Sequence, residues 1–465
     1  MFDDWIGKTV HDTLGRPYRL GKVLGHGGQG VVFEESEGSH VVKVITSTRD
    51  RHELVRRYSW LITREFPKEA NLVLPEALLA GDTTGYVMRR VKGHQRLTKL
   101  IHPVHASDTS LGEWYNNQTG GLRRRLLLSW QIARSFRLIH LRGLSYCDLS
   151  CDNILVSKDP RVISTCLIDL DNLSTPEAAE ALVRGTPRYM APEVLGGTHQ
   201  PDPVTDAYSL AVVIHELLRL GHPFLGDGVN DGPPEMEEAA LRGELPYIDH
   251  PEDKRNRCST ILPEKVVFPP RLSALFRQAF IDGVHDRWQR PTPGDFEDKC
   301  LNAALHLLAC ADCGASFLPP ANVKPGEDVR CPWCGYLCSM PPFIEFYDGF
   351  YDETGNLNHG VAVQTLIPSS GGTQVPLSYV NPTVESISNG MDSVAFTLKW
   401  DSAIPAVYLS DCRIPFLGIC KPGGIGFRTA VTRDPLPLPG ETGLLFGDPS
   451  TDKCVRLGRV IVSPN

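Results

Sequence analysis

The sequence lacks a long apolar run, an excess of basic residues and an N-terminal export signal. Its most apolar stretch, residues 209–218, contains His215 and Glu216, whereas a membrane-spanning helix needs about 18 apolar residues. Acidic residues (55) outnumber basic ones (47), which argues against a general nucleic-acid or membrane partner. Asp3 and Asp4 stand where an export signal would be basic. We therefore expect a soluble, cytoplasmic protein.

The cysteine pattern does not indicate a disulfide framework either. The chain has thirteen cysteines, an odd number, and four of them form two C-x-x-C pairs. This pattern is typical of metal binding in a reducing compartment. The length of 465 residues predicts roughly three domains.

Local patterns divide the chain into three predicted parts. Short β-rich runs with glycine-rich turns occupy the first 48 residues, and helical periodicity follows at 50–65, 121–142, 204–220, 271–282 and 293–309. Helical periodicity disappears after residue 341, where short strand patterns indicate an all-β sandwich or barrel. We predict an α+β chain with domains at 1–303, 304–341 and 342–465.

A glycine-rich pattern, G-x-G-x-x-G-x-V, is formed by Gly25, Gly27, Gly30 and Val32. Glycines lack side chains, so the backbone can approach a phosphate chain and offer N–H groups to it. The pattern alone is also compatible with an ordinary hairpin turn. Because a strand pattern and not a helix follows, it is not a dinucleotide-binding fingerprint.

Four polar residues further along the chain fit phosphoryl transfer. Lys43 lies in a β-rich run after the glycine pattern, where a cation can bind phosphate oxygens, although lysines on strands are often edge residues. Asp148 and Asn153 follow a long predicted helix, and Asp169 comes after the next apolar run. One carboxylate can accept a hydroxyl proton, while the amide and the second carboxylate can bind magnesium.

In this order the motifs resemble those of the eukaryotic-type (Hanks-type) protein kinases over residues 1–303. Lys43 matches the lysine of V-A-I-K, Asp148 and Asn153 match H-R-D-L-x-x-x-N, and Asp169 matches the first residue of D-F-G. The resemblance implies a bilobal kinase fold in which the glycine loop covers ATP and Lys43 orients its phosphates. It also implies that Asp148 orients the acceptor hydroxyl, and that Asn153 and Asp169 hold Mg²⁺ or Mn²⁺.

Further matches extend the resemblance. Met88 falls at the gatekeeper position, so Arg89 to Val91 would contact adenine. Residues 185–193, here called the docking segment, resemble the A-P-E end of a kinase activation segment, and their Gly-Thr-Pro-Arg-Tyr run favours a serine/threonine kinase. The resemblance also implies a buried Asp206 and an ion pair between Arg290 and Glu193.

The chain departs from the family at several positions. The H-R-D arginine is replaced by Cys147, which puts control by an activation-loop phosphate in doubt. Asp171 replaces the glycine of D-F-G. The helix glutamate that should pair with Lys43 is either Glu53, which we prefer, or Glu65. Cys147 and Cys151 are expected to be ordinary free thiols, with a redox role as the alternative.

The four paired cysteines predict a zinc ribbon. Cys310, Cys313, Cys331 and Cys334 form C-x-x-C…C-x-x-C with ribbon-like spacing. Two thiolates on each of two turns complete a tetrahedral site, so we expect one structural Zn²⁺. The nearby Cys338 is an alternative ligand. Few basic residues lie between the pairs, so nucleic-acid binding is not expected.

Together these features predict an ATP- and magnesium-dependent serine/threonine kinase fused to a zinc ribbon and a β-rich domain of unknown role. The fused ribbon and the altered motifs resemble bacterial more than animal members, which suggests a signalling or stress-response role. By analogy, such kinases accompany a metal-dependent phosphatase and a von Willebrand A-type protein. The alternative is a pseudokinase scaffold that recruits partners through the ribbon and the β-rich domain.

Overall fold

The computed structural model describes residues 3–27, 30–46, 51–103, 110–175, 185–380, 394–401, 406–414, 416–424, 426–429, 435–448, 452 and 454–462. The chain divides into two compact units. The first comprises Met1–Val104, Gln131–Thr260 and Phe276–Gly294, and the second comprises His105–Trp130, Ile261–Leu275 and Asp295–Asn465. The boundaries expected at residues 303 and 341 stay predictions.

The first unit contains a six-stranded antiparallel sheet that positions the predicted phosphate-binding residues. In spatial order its strands are Thr9–His11, Pro17–His26, Gly30–Glu35, His40–Ile45, Gly85–Arg89 and Pro75–Leu78. One face buries a core that includes Leu20, Phe33 and Val42. Because side chains alternate along a strand, the neighbours of these core residues point to the opposite face.

A second, three-stranded sheet in the same unit carries the predicted catalytic segment. Its strands are His94–Arg96, Ile154–Ser157 and Thr165–Leu167. Asn153 and Asp169 stand immediately beside the two strands at 154–157 and 165–167, so the hydrogen bonds of this sheet fix the separation of their backbones.

The long predicted helices are present. The α-helices are Arg51–Ile62, Leu111–Glu113, Gly121–His140, Pro192–Leu195, Pro203–Arg219, Asp227–Asn230, Pro234–Leu241, Glu264–Val267, Pro270–Arg277, Gly283–His285, Pro293–Leu305 and Leu377–Val380. The helix Pro203–Arg219 begins where the sequence provides a capping box. The Asp202 side chain accepts hydrogen bonds of 2.9 Å from the backbone N–H groups of Val204 and Thr205. Its buried residue Asp206 faces the catalytic segment.

The second unit contains the cysteine-rich segment and the β-rich region. Two small hairpins, with strands Leu308–Ala309 and Ser316–Phe317, and Asp328–Arg330 and Leu337–Ser339, carry the paired cysteines. Within this unit the ring of Trp333 stacks on that of Tyr115, with 5.2 Å between their centroids. The serine hydroxyl of Ser316 also accepts a hydrogen bond of 3.0 Å from the Arg123 backbone N–H.

The C-terminal region forms two antiparallel sheets, which confirms its predicted β-rich character. One sheet has the strands Leu357–Leu366, Phe343–Tyr351, Cys454–Ile461, Gly443–Phe446, Leu417–Cys420 and Arg428–Thr429, in spatial order. The other has Thr373–Pro376, Val394–Asp401, Ala406–Ser410 and Leu436–Leu438. Stacked phenylalanines, such as Phe396 and Phe446 at 5.4 Å, pack between strands of the two sheets.

Among the described residues, every helix is too short or too polar to cross a lipid bilayer.

Candidate active site and metal centre

The glycine-rich pattern forms the hairpin that joins the second and third strands, in spatial order, of the first unit's large sheet. Gly25 pairs with Val32 in register, and the N–H of Gly27 donates a 2.9 Å hydrogen bond to the carbonyl of Gly30. A Cβ on Gly30 would lie 2.3 Å from the carbonyl oxygen of Val44, so packing requires glycine there. Among the described residues, a Cβ on Gly27 would meet no atom within 4 Å, which leaves room for a ligand. Gly28 and Gln29 lie outside the described residues.

Lys43 lies beside this hairpin and forms two ion pairs. It pairs with Val32 in register, so both side chains leave the same face of the sheet. Its ammonium group contacts a carboxylate oxygen of Asp169 and lies 2.5 Å from one of Asp171. Burial alone would lower the pKa of Lys43, but the charges of Asp171 and Asp169 outweigh this effect and raise that pKa. Lys43 is therefore a cation at neutral pH.

The structure corrects the expected partner of Lys43. In the part of the chain that the structure describes, neither Glu53 nor Glu65 forms an ion pair with this lysine. Both glutamates are exposed, Glu53 in the first turn of the helix Arg51–Ile62 and Glu65 three residues beyond its end. The preference for Glu53 was wrong because the acid comes instead from Asp171, at the position where the family has glycine. The replacement of the D-F-G glycine by Asp171 was the sequence feature that could have identified this partner.

The catalytic loop, residues 146–153, is held by a buried carboxylate. Asp206 accepts hydrogen bonds from the backbone N–H groups of Tyr146, at 2.6 Å, and Cys147, at 2.9 Å. His140 contacts the same carboxylate at 3.1 Å. These bonds stabilise Cys147 at a φ of 71°, a left-handed conformation that is costly for a residue other than glycine. The loop is thereby fixed immediately before Asp148.

Asp148 and Asn153 are connected by hydrogen bonds. The Asn153 side-chain amide donates to the backbone carbonyl of Asp148 at 2.9 Å, and the hydroxyl of Thr186 donates to the Asp148 carboxylate at 2.9 Å. Burial raises the pKa of Asp148 and the neighbouring charge of Asp169 adds to this, while the bond from Thr186 acts in the opposite direction. The carboxylate is thus partly desolvated but anchored by a hydroxyl.

Asp169 is connected to Asn153 through a backbone hydrogen bond of the residue before it. The N–H of Ile168 donates to the carbonyl of Asn153 at 3.0 Å, and Asp169 itself has a φ of 61°. Its side chain is 46% exposed although it contacts Lys43. A carboxylate and an amide oxygen are hard ligands of the kind that magnesium prefers. The donor set of Asn153 and Asp169 therefore fits Mg²⁺.

The predicted adenine-contacting residues lie at the end of one strand. Met88 is buried on the strand Gly85–Arg89, where it pairs with Val41. Arg89 is exposed, and Val91 is partly buried just beyond the strand. Directly after the strand, the N–H of Arg90 donates to the carbonyl of Ser39 at 3.1 Å.

The docking segment is anchored as the motifs predicted. The guanidinium of Arg290 donates two hydrogen bonds of 2.7 Å to the two carboxylate oxygens of Glu193. Burial would raise the pKa of Glu193, but the hydrogen bonds and charge of Arg290 lower it below its usual range. Such a bidentate pair is strong and geometrically specific.

The two catalytic-loop cysteines are buried thiols. Burial raises the pKa of Cys147 to about 12 and that of Cys151 well above its usual range. Because the thiolate is the reactive form, these values favour the ordinary free thiol over a redox role.

The four paired cysteines converge in the second unit. Their sulfur atoms all lie within 4.8 Å of one another, with Cys310 3.5 Å from Cys334 and Cys313 3.8 Å from Cys331. A tetrahedral site with Zn–S bonds of about 2.3 Å requires sulfur separations of about 3.8 Å. The arrangement therefore fits structural zinc, and all four thiols are free of disulfides. Cys338 packs in the adjoining core but is not a member of this cluster.

Comparisons with known proteins agree with this geometry. Residues 18–262 match the family model described as "Protein kinase domain". The chain is 28% identical over 253 residues to "Serine/threonine-protein kinases drp72" of Corynebacterium efficiens, covering 50% of this chain and 46% of that protein. It is 31% identical over 234 residues to "Serine/threonine-protein kinase PknA" of Mycobacterium tuberculosis, covering 48% and 51%.

A third similar protein is "Protein kinase YegI" of Escherichia coli O157:H7, which is 25% identical over 347 residues, covering 70% of this chain and 50% of that protein. The chain thus spans about half the length of these curated relatives. The family model covers more than half of the 465 residues, in the region that holds Lys43, Asp148, Asn153 and Asp169. This chain belongs to the protein kinase family and resembles its bacterial serine/threonine members.

Proposed function

We propose that this chain is an ATP-dependent protein serine/threonine kinase. The observation that carries the proposal is a continuous set of contacts. Lys43 is paired with Asp169, the residue before Asp169 is bonded to Asn153, and Asn153 is bonded to Asp148. Phosphoryl transfer depends mainly on positioning and charge neutralisation, and these four residues supply both.

Each residue has a distinct role in the proposed reaction. The hairpin of Gly25, Gly27 and Gly30, with Val32, covers the nucleotide, and Lys43 binds its phosphate oxygens. Met88, Arg89 and Val91 border the adenine. Asp148 orients the acceptor hydroxyl and accepts its proton.

Asn153 and Asp169 would hold magnesium, or manganese in its place. When bound, the ion neutralises charge on the phosphate oxygens.

A protein hydroxyl is the proposed acceptor. The docking segment is held by the Arg290–Glu193 pair, and its Thr186 reaches the Asp148 carboxylate. This contact supports the proposal, because it joins the segment proposed to dock a peptide to the residue proposed to orient the acceptor hydroxyl. The names of the bacterial relatives also support serine or threonine as the target.

The test is transfer of labelled phosphate from ATP to the chain itself and to a general protein acceptor. We expect transfer with Mg²⁺ or Mn²⁺, and its loss in Asp148→Asn, which keeps the size of the side chain. Asp159→Asn, in an exposed turn of the same unit, is the matched control and should transfer normally. If the wild-type protein neither transfers phosphate nor binds ATP, the pseudokinase scaffold is the better description.

We further propose a bacterial signalling role, a cytoplasmic location and domains at 1–303, 304–341 and 342–465. The location is supported by the cysteines, because all thirteen are free thiols and four are arranged for metal. Protein substrates follow from the proposed activity. A metal-dependent phosphatase and a von Willebrand A-type protein remain partners by analogy only, which co-purification from the native cell would test.

A further inference from the structure

Asp171 is enclosed by donors on both of its carboxylate oxygens. One oxygen lies 2.5 Å from the ammonium nitrogen of Lys43, and the other accepts a 2.5 Å hydrogen bond from the hydroxyl of Tyr86. The Asp171 side chain is only 1% exposed and that of Lys43 is 6% exposed. Tyr86 is also buried, on the strand beside that of Lys43.

Burial makes this pairing hard to replace. A charged group removed from water is stable only when it is paired and hydrogen-bonded, and both conditions hold for Asp171. Lys43 has the same need, because its side chain is almost fully buried. Removing the acid would leave a buried cation with one remaining partner, Asp169.

The two acidic partners of Lys43 differ in exposure. The Asp169 side chain is 46% exposed, whereas Asp171 is almost fully enclosed. An exposed carboxylate can turn toward another ligand at little cost, but an enclosed one cannot leave its donors. Asp171 is therefore suited to hold the lysine in place, and Asp169 remains suited to bind metal.

The helix Arg51–Ile62 contacts this segment through a cation and not through an acid. The guanidinium of Arg57 donates to the backbone carbonyl of Asp171 and, at 3.3 Å, to that of Leu173. The ring of Tyr58, on the same helix, lies 5.0 Å from that of Tyr86. The helix thus fixes the backbone that carries the acid, while its own glutamate, Glu53, stays exposed.

We propose that Asp171 is the positioning residue for Lys43, replacing the helix glutamate, and that Arg57 holds Asp171 in register. This proposal rests on the proposed kinase function, since Lys43 acts on ATP phosphates. The proposal implies that the charge pair needed for activity is formed by Lys43, on the strand His40–Ile45, and Asp171, at the end of the Asp169-Leu170-Asp171 segment. Glu53, the exposed acid of the helix Arg51–Ile62, then has no part in this charge pair.

The first test compares Asp171→Asn with Asp171→Glu and with the control Glu53→Gln. Misplacing a phosphate-binding group by about 1 Å can cost about a hundredfold in rate. We expect Asp171→Asn to lower kcat about a hundredfold with a smaller change in KM for ATP. Asp171→Glu should recover part of the loss, and Glu53→Gln should behave like wild type.

A double-mutant cycle separates positioning from a general loss of structure. If Asp171 acts through Lys43, the Lys43→Ala/Asp171→Asn double variant should be no slower than Lys43→Ala alone. Binding of the non-hydrolysable analogue AMP-PNP, measured by calorimetry, should be weaker in Asp171→Asn than in wild type. Adding Asp171→Asn to Lys43→Ala should not weaken that binding further. Additive losses in both readouts would overturn the proposal.

The outcomes also separate this proposal from the proposed function. A wild-type protein without phosphate transfer contradicts the kinase function, whatever Asp171 does. An active wild type with an equally active Asp171→Asn, or with Glu53→Gln as impaired as Asp171→Asn, contradicts the positioning role alone. If Asp171→Asn does not fold, Tyr86→Phe removes one hydrogen bond to the same carboxylate. Its kcat should then fall measurably, and an unchanged kcat would reject the proposal.

Discussion

The thiol of Cys147, in the catalytic loop, lies 3.3 Å from the hydroxyl of Ser174. Both residues are buried. Ser174 is held further by backbone hydrogen bonds with Ser145 in both directions, at 2.8 and 2.9 Å. A neutral thiol stands where the family has an arginine, so Cys147 itself cannot supply a cation to bind a phosphate on the following segment.

We therefore predict that Ser174, Thr175 and Thr186 do not act as switch phosphates. Ser174→Ala should keep phosphate transfer within about twofold of wild type, because it removes one weak hydrogen bond to sulfur. Ser174→Glu should lower the unfolding temperature, because it forces a charge into a buried position. A large rise in activity on phosphorylation of Ser174 or Thr175, lost on mutation to alanine, would contradict the prediction.

A second prediction concerns the pair of Arg290 and Glu193. The Arg290 side chain is 1% exposed and that of Glu193 is 14% exposed, so removing one partner leaves a mostly buried charge. We expect Glu193→Gln to lower the free energy of unfolding by about 3 kcal/mol. Arg290→Lys should also destabilise, because lysine cannot donate in the bidentate geometry. Denaturant unfolding of the full chain measures both variants.

The same pair gives a pH dependence with a definite sign. The pKa of Glu193 is lower in the folded chain than in the unfolded one, so its contribution is present above the unfolded pKa. The contribution is lost as the pH falls through the folded pKa. As the pH falls below the ordinary glutamate pKa of about 4.3, Glu193→Gln should therefore lose less stability than wild type. Equal losses in the two proteins would show that this carboxyl does not contribute.

The glycine pattern and the segment around Asp148 could be located from the sequence because each depends on a short run of residues. The glycine hairpin and the loop around Asp148 are both specified by residues that are close in sequence. The partner of Lys43 could not be found in this way, because Asp171 lies 128 residues further along the chain. Only the fold brings them together. The resemblance instead predicted a partner in or just after the helix Arg51–Ile62, where both Glu53 and Glu65 are exposed.

A third prediction concerns metal-dependent transfer. Asp169→Asn keeps the size of a side chain that is 46% exposed, so we expect little change in unfolding temperature. It removes a carboxylate that would bind magnesium, so phosphate transfer should fall by at least about a hundredfold. Asp152→Asn, on an exposed residue next to Asn153, is the control and should retain activity and its dependence on Mg²⁺. Normal transfer by Asp169→Asn would contradict the assigned role.

The last prediction is that the chain binds one zinc ion through Cys310, Cys313, Cys331 and Cys334. The core beside these residues is small, with Leu308, Phe317, Val329 and Met340 among its few large side chains. So little buried apolar surface cannot by itself stabilise a segment of this length. Metal binding in such sites is coupled to folding, so the ion should supply the missing stability.

Cys331→Ser should therefore lose the zinc and expose residues 308–340 to proteolysis, while the protein still binds ATP. Cys338→Ala is the matched control, since this thiol lies in the same core but outside the cluster of four. Cys338→Ala should retain a full equivalent of zinc. If Cys338 were itself a ligand, this variant would lose zinc. Metal analysis after purification without chelator decides the matter. Less than half an equivalent of zinc in wild type, or a disulfide among these cysteines in reduced protein, would show the assignment to be wrong.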